Sequence, residues 1–390
     1  MDIKKVCLRC VAVIIVAFVM PTGIWLYARS ASRFGRVAAV AAGVAMGEYK
    51  PYFSADDDSK ATVQTAYPSK LEAAVVSKHS IWDMDMAPQE KQTPSVSAEV
   101  PSPLPAQDVT DKIPYPASMD GNDGVIEKYT YGRYDGEQYF DLDGGGQVRN
   151  CTELSNDELY EESSKPYDFQ IDGNSSEPQI LIYHTHATES FEPFDRDFCD
   201  TSYTWRSTDN TQNVVFLGDI IASQLEQAGI GVIHDTTQHD YPSYNGSYER
   251  SADTIRKWLE QYPSIKAVID VHRDAIESPA GNLIKPVAMI DGEKTAQVMI
   301  IAGCDDGTMN MPDWERNLRW AAALQSTAET MYPGLTRPVF FCYRKYNMDL
   351  TGGSLLIEFG SHGNTLEETA RAAEYMGKAM AQTLLDTLPQ

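Results

Sequence analysis

The residue types able to hold a metal and move a proton cluster in the C-terminal half of the chain. His184 and His186 stand two apart at the end of the apolar run Ile180-Leu181-Ile182-Tyr183, and Glu189 follows three residues later. His272 closes Val268-Ile269-Asp270-Val271, and Glu358 closes Leu355-Leu356-Ile357. Neutral imidazole and carboxylate are ordinary zinc ligands, and a catalytic zinc site keeps three protein ligands and one open position. Zinc lowers the pKa of water toward ~7 and so supplies a nucleophile at neutral pH. A glutamate such as Glu358 could take that water's proton and pass it to a leaving amine. Each residue also has an ordinary structural reading. A strand-end histidine is commonly a hydrogen-bonded structural group, Glu358 could pair with Arg273, and Asn364 could cap the last helix. The spacing leaves open whether His184 or His186 is the ligand.

Such residues meet only if strands deliver them to one edge. The apolar runs at 179–184, 267–271, 339–343 and 354–359 read as buried strands. Open α/β sheets place their sites at strand C-termini. Helices are expected at 211–228, with Val214, Val215, Leu217, Ile220, Ile221 and Leu225 on roughly one face before Gly229, at 249–261 before Pro263, at 313–331 before Pro333, and at 365–387. A further strand is expected at 231–233. Strands near 287–290 and 297–302, joined by Asp291-Gly292, read as a hairpin. Asn364 with Glu367 three residues on reads as a capping box. Alternating strands and helices predict an α/β domain over 178–390, a single open mixed sheet with helices on both faces. Residues 117–177, acidic and turn-rich, read as a lead-in with one or two strands and a helix near 155–162.

The N-terminal part has another character. Residues 10–28 carry no charge and approach the ~20 residues that span a bilayer, with Trp25 and Tyr27 suited to an interface. This predicts a single transmembrane anchor after a cytoplasmic tail over 1–9. A cleaved signal peptide is the alternative, with the small residues Val37 to Ala42 offering a cleavage site. Residues 29–116, rich in proline toward their end, read as a largely disordered tether. The net charge is −24, while residues 1–36 carry +5 and leave −29 for the rest. That balance argues against a nucleic-acid binder, which needs a cationic face. Cys7 and Cys10 sit in or beside the expected anchor, and Cys151, Cys199, Cys304 and Cys342 are widely scattered, with no paired C-x-x-C spacing for zinc.

Several motifs in order resemble one family. They are His184-Thr185-His186-x-x-Glu189-Ser190, Val268-Ile269-Asp270-Val271-His272-Arg273-Asp274, Tyr346-Asn347-x-Asp349-Leu350, and Ser354-Leu355-Leu356-Ile357-Glu358-Phe359-Gly360-Ser361-His362-Gly363-Asn364. With His234-Asp235, His239-Asp240 and Trp314-Glu315-Arg316-Asn317-Leu318, they look like stage II sporulation protein P, densely over 178–390. Met348 stands where that pattern leads one to expect Gln. The resemblance implies a membrane-anchored cell-wall hydrolase of endospore formers, with its catalytic domain on the extracytoplasmic side. Such proteins cleave the amide between N-acetylmuramic acid and L-alanine in peptidoglycan, and some also cut peptide cross-bridges. They act during engulfment with stage II sporulation proteins D and M.

The implied fold is similar to the zinc-dependent N-acetylmuramoyl-L-alanine amidases. Alignment with them implies His186 and His272 as zinc ligands and Glu358 as the catalytic glutamate, with Asn364 in the same turn. The amidases' acidic ligand opens the first helix. Here that points near Asp209, where no glutamate stands, so Glu189 is taken for its closeness to His186. His184, Arg273 and Asn364 are assigned to substrate. Two other readings compete: a zinc peptidase acting on wall cross-bridges, and an inactive wall-binding scaffold of the engulfment machinery. The absence of Gly-x-Ser-x-Gly argues against a serine hydrolase.

Overall fold

The computed structural model of the protein describes residues 119–388. The expected tail, anchor and tether over 1–116 lie outside the described residues. No helix among the described residues is long and apolar enough to cross a membrane.

The strands, in chain order, are β1 (Gly124–Tyr129), β2 (Tyr139–Asp141), β3 (Gln147–Asn150), β4 (Ile180–Tyr183), β5 (Phe198–Cys199), β6 (Val232–His234), β7 (Ala267–Asp274), β8 (Leu283–Ile290), β9 (Glu293–Ala296), β10 (Val298–Cys304), β11 (Val339–Tyr343) and β12 (Ser354–Ser361). The helices are α1 (Asn156–Ser163), α2 (Val214–Gln227), α3 (Ser247–Gln261), α4 (Trp314–Met331) and α5 (Leu366–Leu385). Eight strands form the main sheet in the order β2-β3-β11-β10-β12-β7-β4-β6. From β12 through β7 and β4 to β6 every pairing is parallel, so their C-terminal ends share one edge. β10 runs antiparallel to β12, which makes the sheet mixed.

The expectation of a single sheet is corrected. β5, β1, β8 and β9 form a second, four-stranded sheet. The hairpin is corrected with it. Asp291 and Gly292 do make its turn, at φ of 52° and 83°, but the partner of β8 is the short Glu293–Ala296. The stronger apolar run, Val298–Cys304, belongs to the main sheet. The chain passes between the sheets at Gln297, whose buried amide bonds the backbone N–H and C=O of Tyr131. Residues 117–177 supply β1 to the small sheet, β2 and β3 to one end of the main sheet, and α1.

The main sheet is buried on both faces. One face, with Ile182, Ile269, Val271, Ile357 and Phe359, packs into a core with α2, α4 and α5. The other carries Leu181, Tyr183 and Val268 against Ile255 of α3. Strands covered on both sides need apolar residues at every position, and β12 is buried along all eight of its residues. The cap of α5 lies one residue later than expected. Thr365 is the N-cap, its hydroxyl accepts from Glu368 N–H, and the Glu368 carboxylate returns to Thr365 N–H.

Candidate metal and catalytic site

Strand alternation predicts that His184 and His186 face the same side. They do not, because β4 ends at Tyr183. His184 keeps to the Ile180 and Ile182 side and points under α2. There its Nδ1 lies 3.0 Å from the Val271 carbonyl and its Nε2 2.8 Å from His234 Nε2. Past the strand end the chain turns, and His186 swings to the α3 side. Its ring stacks on Tyr244 at 4.5 Å and meets the ring of His272 edge-on at 5.4 Å. The Ser247 hydroxyl lies 3.3 Å from its Nδ1 and the Tyr244 hydroxyl 3.2 Å from its Nε2.

A turn closed by Glu189 N–H on the His186 carbonyl brings Glu189 back toward β7. Its Oε2 accepts from the Arg273 N–H at 3.1 Å and lies 3.2 Å from His272 Nδ1. In space Glu189 stands at the start of α2. Its carbonyl accepts from Val214 N–H, and Ser190 pairs with Asn213, the N-cap of that helix. The acidic group therefore reaches the first helix's N-terminus although it lies far upstream in sequence. Glu358 faces His272 directly across the β12–β7 pairing. Immediately after it the register slips by one residue at a bulge. Gly360 holds φ of 62° there, and a Cβ would sit 2.6 Å from Asn364 Oδ1. Bulges of this kind re-aim side chains beside active sites.

His186, Glu189, His272 and Glu358 are all buried. Burial alone would raise Glu189, but His272 and the Arg273 and Arg206 charges outweigh it and hold the carboxyl well below its usual range. Burial would lower His272, yet Asp270 and Glu189 outweigh it and push the imidazole up to about 10. His186 is pushed well below its ordinary value, chiefly by burial. Glu358 is pushed well above the carboxylate range by burial, with the Asp274 charge adding to it.

In donor chemistry this set suits zinc, and one pair of it stands at ligand spacing. Tetrahedral bonds of about 2.0–2.2 Å put neighbouring donor atoms roughly 3.3 Å apart, and His272 Nδ1 and Glu189 Oε2 stand at 3.2 Å. Neither oxygen of buried Glu358 has a hydrogen-bond partner. A buried carboxylate left so is costly and points to a missing companion. Among the described residues no three such groups already converge as a metal cluster. The ring nitrogens of His186 face the hydroxyls of Tyr244 and Ser247.

The three residues expected at substrate are all buried and hydrogen-bonded within the fold. His184 is sealed beneath α2. Arg273 is buried, donating from Nε to the Ser190 carbonyl and from Nη2 to the Trp205 carbonyl, so it fastens the loop that carries Glu189. Asn364 is buried, accepting from Ser361 N–H and donating to the Pro286 carbonyl, so it braces the turn behind Glu358. Sequence reasoning missed Asp270, which touches His272, and Thr185, which touches Asp270. The signal for Asp270 was present, since two residues' separation on a strand puts it on the same face as His272. It also missed Arg206, which lies over the Tyr244 ring and pairs with Asp240 at 2.9 Å. Met348 is buried, and its sulfur accepts from Gly303 N–H.

Fold and site together define a mixed α/β protein with a buried His–Glu–His set at the C-terminal edge of its central strands and an unpartnered glutamate beside it. A family model, Stage II sporulation protein P, matches residues 125–381. The chain belongs to the stage II sporulation protein P family. Stage II sporulation protein P of Bacillus subtilis strain 168 is 30% identical over 218 residues, 53% of this chain and 51% of that protein. The match thus spans about half the length of that curated relative. Among solved structures, the N-acetylmuramoyl-L-alanine amidase AmiC2 of Nostoc punctiforme is 14% identical, covering 55% of this chain and 98% of that one at a TM-score of 0.32. The CwlD amidase of Clostridioides difficile in complex with the GerS lipoprotein is 12% identical, covering 53% and 97% at a TM-score of 0.31. TM-scores this low carry no argument about this chain's chemistry.

Proposed function

We propose that this protein is a zinc-dependent peptidoglycan hydrolase that cleaves the amide between N-acetylmuramic acid and L-alanine during engulfment in sporulation. The carrying observation is the unpartnered, buried carboxylate of Glu358, in register with His272 and so beside the His272–Glu189 pair. Family membership supports the setting. His186, Glu189 and His272 would hold the zinc. When bound, zinc supplies a Lewis acid that polarises the scissile carbonyl and makes water nucleophilic near neutral pH. Glu358, ionised once zinc's positive charge stands beside it, would take the proton from the attacking water and deliver it to the departing amine nitrogen. The carbonyl carbon gains the hydroxyl oxygen, the C–N bond breaks, and a lactyl carboxyl and a free L-alanine amine result. Arg273 and Arg206 keep Glu189 ionised, the form a ligand needs.

Residues 10–28 would anchor the protein in a membrane, with residues 29–116 reaching from it and the domain on the extracytoplasmic side. Stage II sporulation proteins D and M are the expected partners. The test is mass analysis of fragments released from purified peptidoglycan by the full-length chain. Free lactyl groups with stem peptides starting at L-alanine are expected. Split cross-bridges with intact lactyl amides would instead identify a peptidase, and no release would identify a scaffold.

A further inference from the structure

We propose that Asp270 is a positioning residue for the metal centre, fixing His272 so that it coordinates through Nδ1 and tying it to the segment that carries His186. The inference rests on the reading of His186, Glu189 and His272 as zinc ligands.

Asp270 is buried, on β7 two residues before His272 and on the same face. Its Oδ1 lies 2.8 Å from His272 Nε2. The same oxygen accepts from Thr185 N–H at 2.9 Å, and Oδ2 accepts from the Thr185 hydroxyl at 2.7 Å. Thr185 stands between His184 and His186, and its hydroxyl also lies 2.9 Å from Ser251 Oγ of α3. Ser251 in turn accepts from Asn347 at 3.0 Å. One carboxylate therefore binds two strand ends and, through Thr185, a helix and the loop after β11.

Each imidazole nitrogen of His272 has its own carboxylate, Asp270 at Nε2 and Glu189 at Nδ1. With zinc on the Glu189 side, Nδ1 would be the ligating nitrogen. The remaining hydrogen of the neutral ring would then stay on Nε2, toward a carboxylate that only accepts. A metal-ligating histidine commonly gives its second N–H to a carboxylate, which sets ring orientation and basicity. Asparagine has the same shape but only one acceptor oxygen for three donors. With its NH2 toward His272 it would favour the wrong tautomer, and with its NH2 toward the Thr185 hydroxyl it would keep the contact but lose the negative charge that holds the ring.

The test measures zinc affinity of the full-length chain by chelator competition, together with the visible absorption spectrum of its cobalt-substituted form. Asp270→Asn should weaken zinc binding by roughly 10–100-fold, the usual cost of losing such a partner, and should change the cobalt bands. Thr185→Val keeps the backbone N–H and removes one donor. It should weaken zinc binding by a smaller factor, and it carries the test if Asp270→Asn does not fold. Wild-type affinity and an unchanged cobalt spectrum in a folded Asp270→Asn chain, or wild-type affinity in Thr185→Val when Asp270→Asn is unfolded, would overturn the inference. A wild-type chain that binds no zinc would overturn the proposed function as well, so the two failures are told apart.

Discussion

At the scale of single residues, the account depends on Glu358 and on the divergence of the two neighbouring histidines. Glu358→Gln preserves shape and removes the group that accepts and delivers the proton. Hydrolysis of peptidoglycan should fall about 10²–10⁴-fold, with zinc content unchanged. Near-normal turnover would remove Glu358 from the reaction. His186→Ala should lose zinc and hydrolysis together. His184→Ala should keep zinc, because His184 lies under α2, bonded to Val271 and His234. Its effect should be on stability, roughly 1–3 kcal/mol for the buried partners left unsatisfied. Zinc content and thermal midpoint, measured on both variants, check this; zinc lost from His184→Ala and kept by His186→Ala would exchange their roles.

Elements were the most legible part of the sequence. The runs ending in His272 and Glu358 were recognisable because buried central strands are apolar throughout, and Gly229, Pro263 and Pro333 marked helix ends. What the sequence hid depends on where regular geometry stops. Nothing local says whether β4 continues past Tyr183, so alternation alone could not decide whether His184 and His186 face the same side. Glu189 was found only by closeness to His186; its position at the N-terminus of α2 is made by pairing between Ser190 and Asn213, which sequence spacing does not show. The small sheet was invisible because Glu293–Ala296 is less apolar than the neighbouring Val298–Cys304. Tyr244 and Arg206 reach the site from loops, without a periodic signal. Element packing also gives a counter-intuitive prediction at Gly218 within α2. Alanine normally stabilises a helix by about 1 kcal/mol relative to glycine. Here its Cβ would sit 2.3 Å from His234 Nε2 and 2.8 Å from His184 Nε2. Gly218→Ala should therefore lower stability by roughly 1–3 kcal/mol, as overpacking does; a raised thermal midpoint would show that α2 can move away from both rings.

For the whole molecule, buried histidines make stability depend on acidity. Burial, with the nearby Arg273 charge, lowers His362 to about 3, and burial lowers His234 despite its contact with Asp219. Both are neutral in the folded chain, while the unfolded chain takes up protons near ~6.5. The unfolded state therefore binds more protons below that pH, and stability falls as pH drops from about 6.5 toward 3. Thermal midpoints of the full-length chain should decline across that window, and His362→Gln should make the decline shallower. A His362→Gln chain that declines as steeply as the wild type would mean that His362 is already protonated in the fold. The central claim is that His186, Glu189 and His272 together hold one catalytic zinc. Elemental analysis of full-length protein that is actively releasing peptidoglycan fragments tests it most directly. About one zinc per chain is the predicted result, and active protein without metal would contradict it.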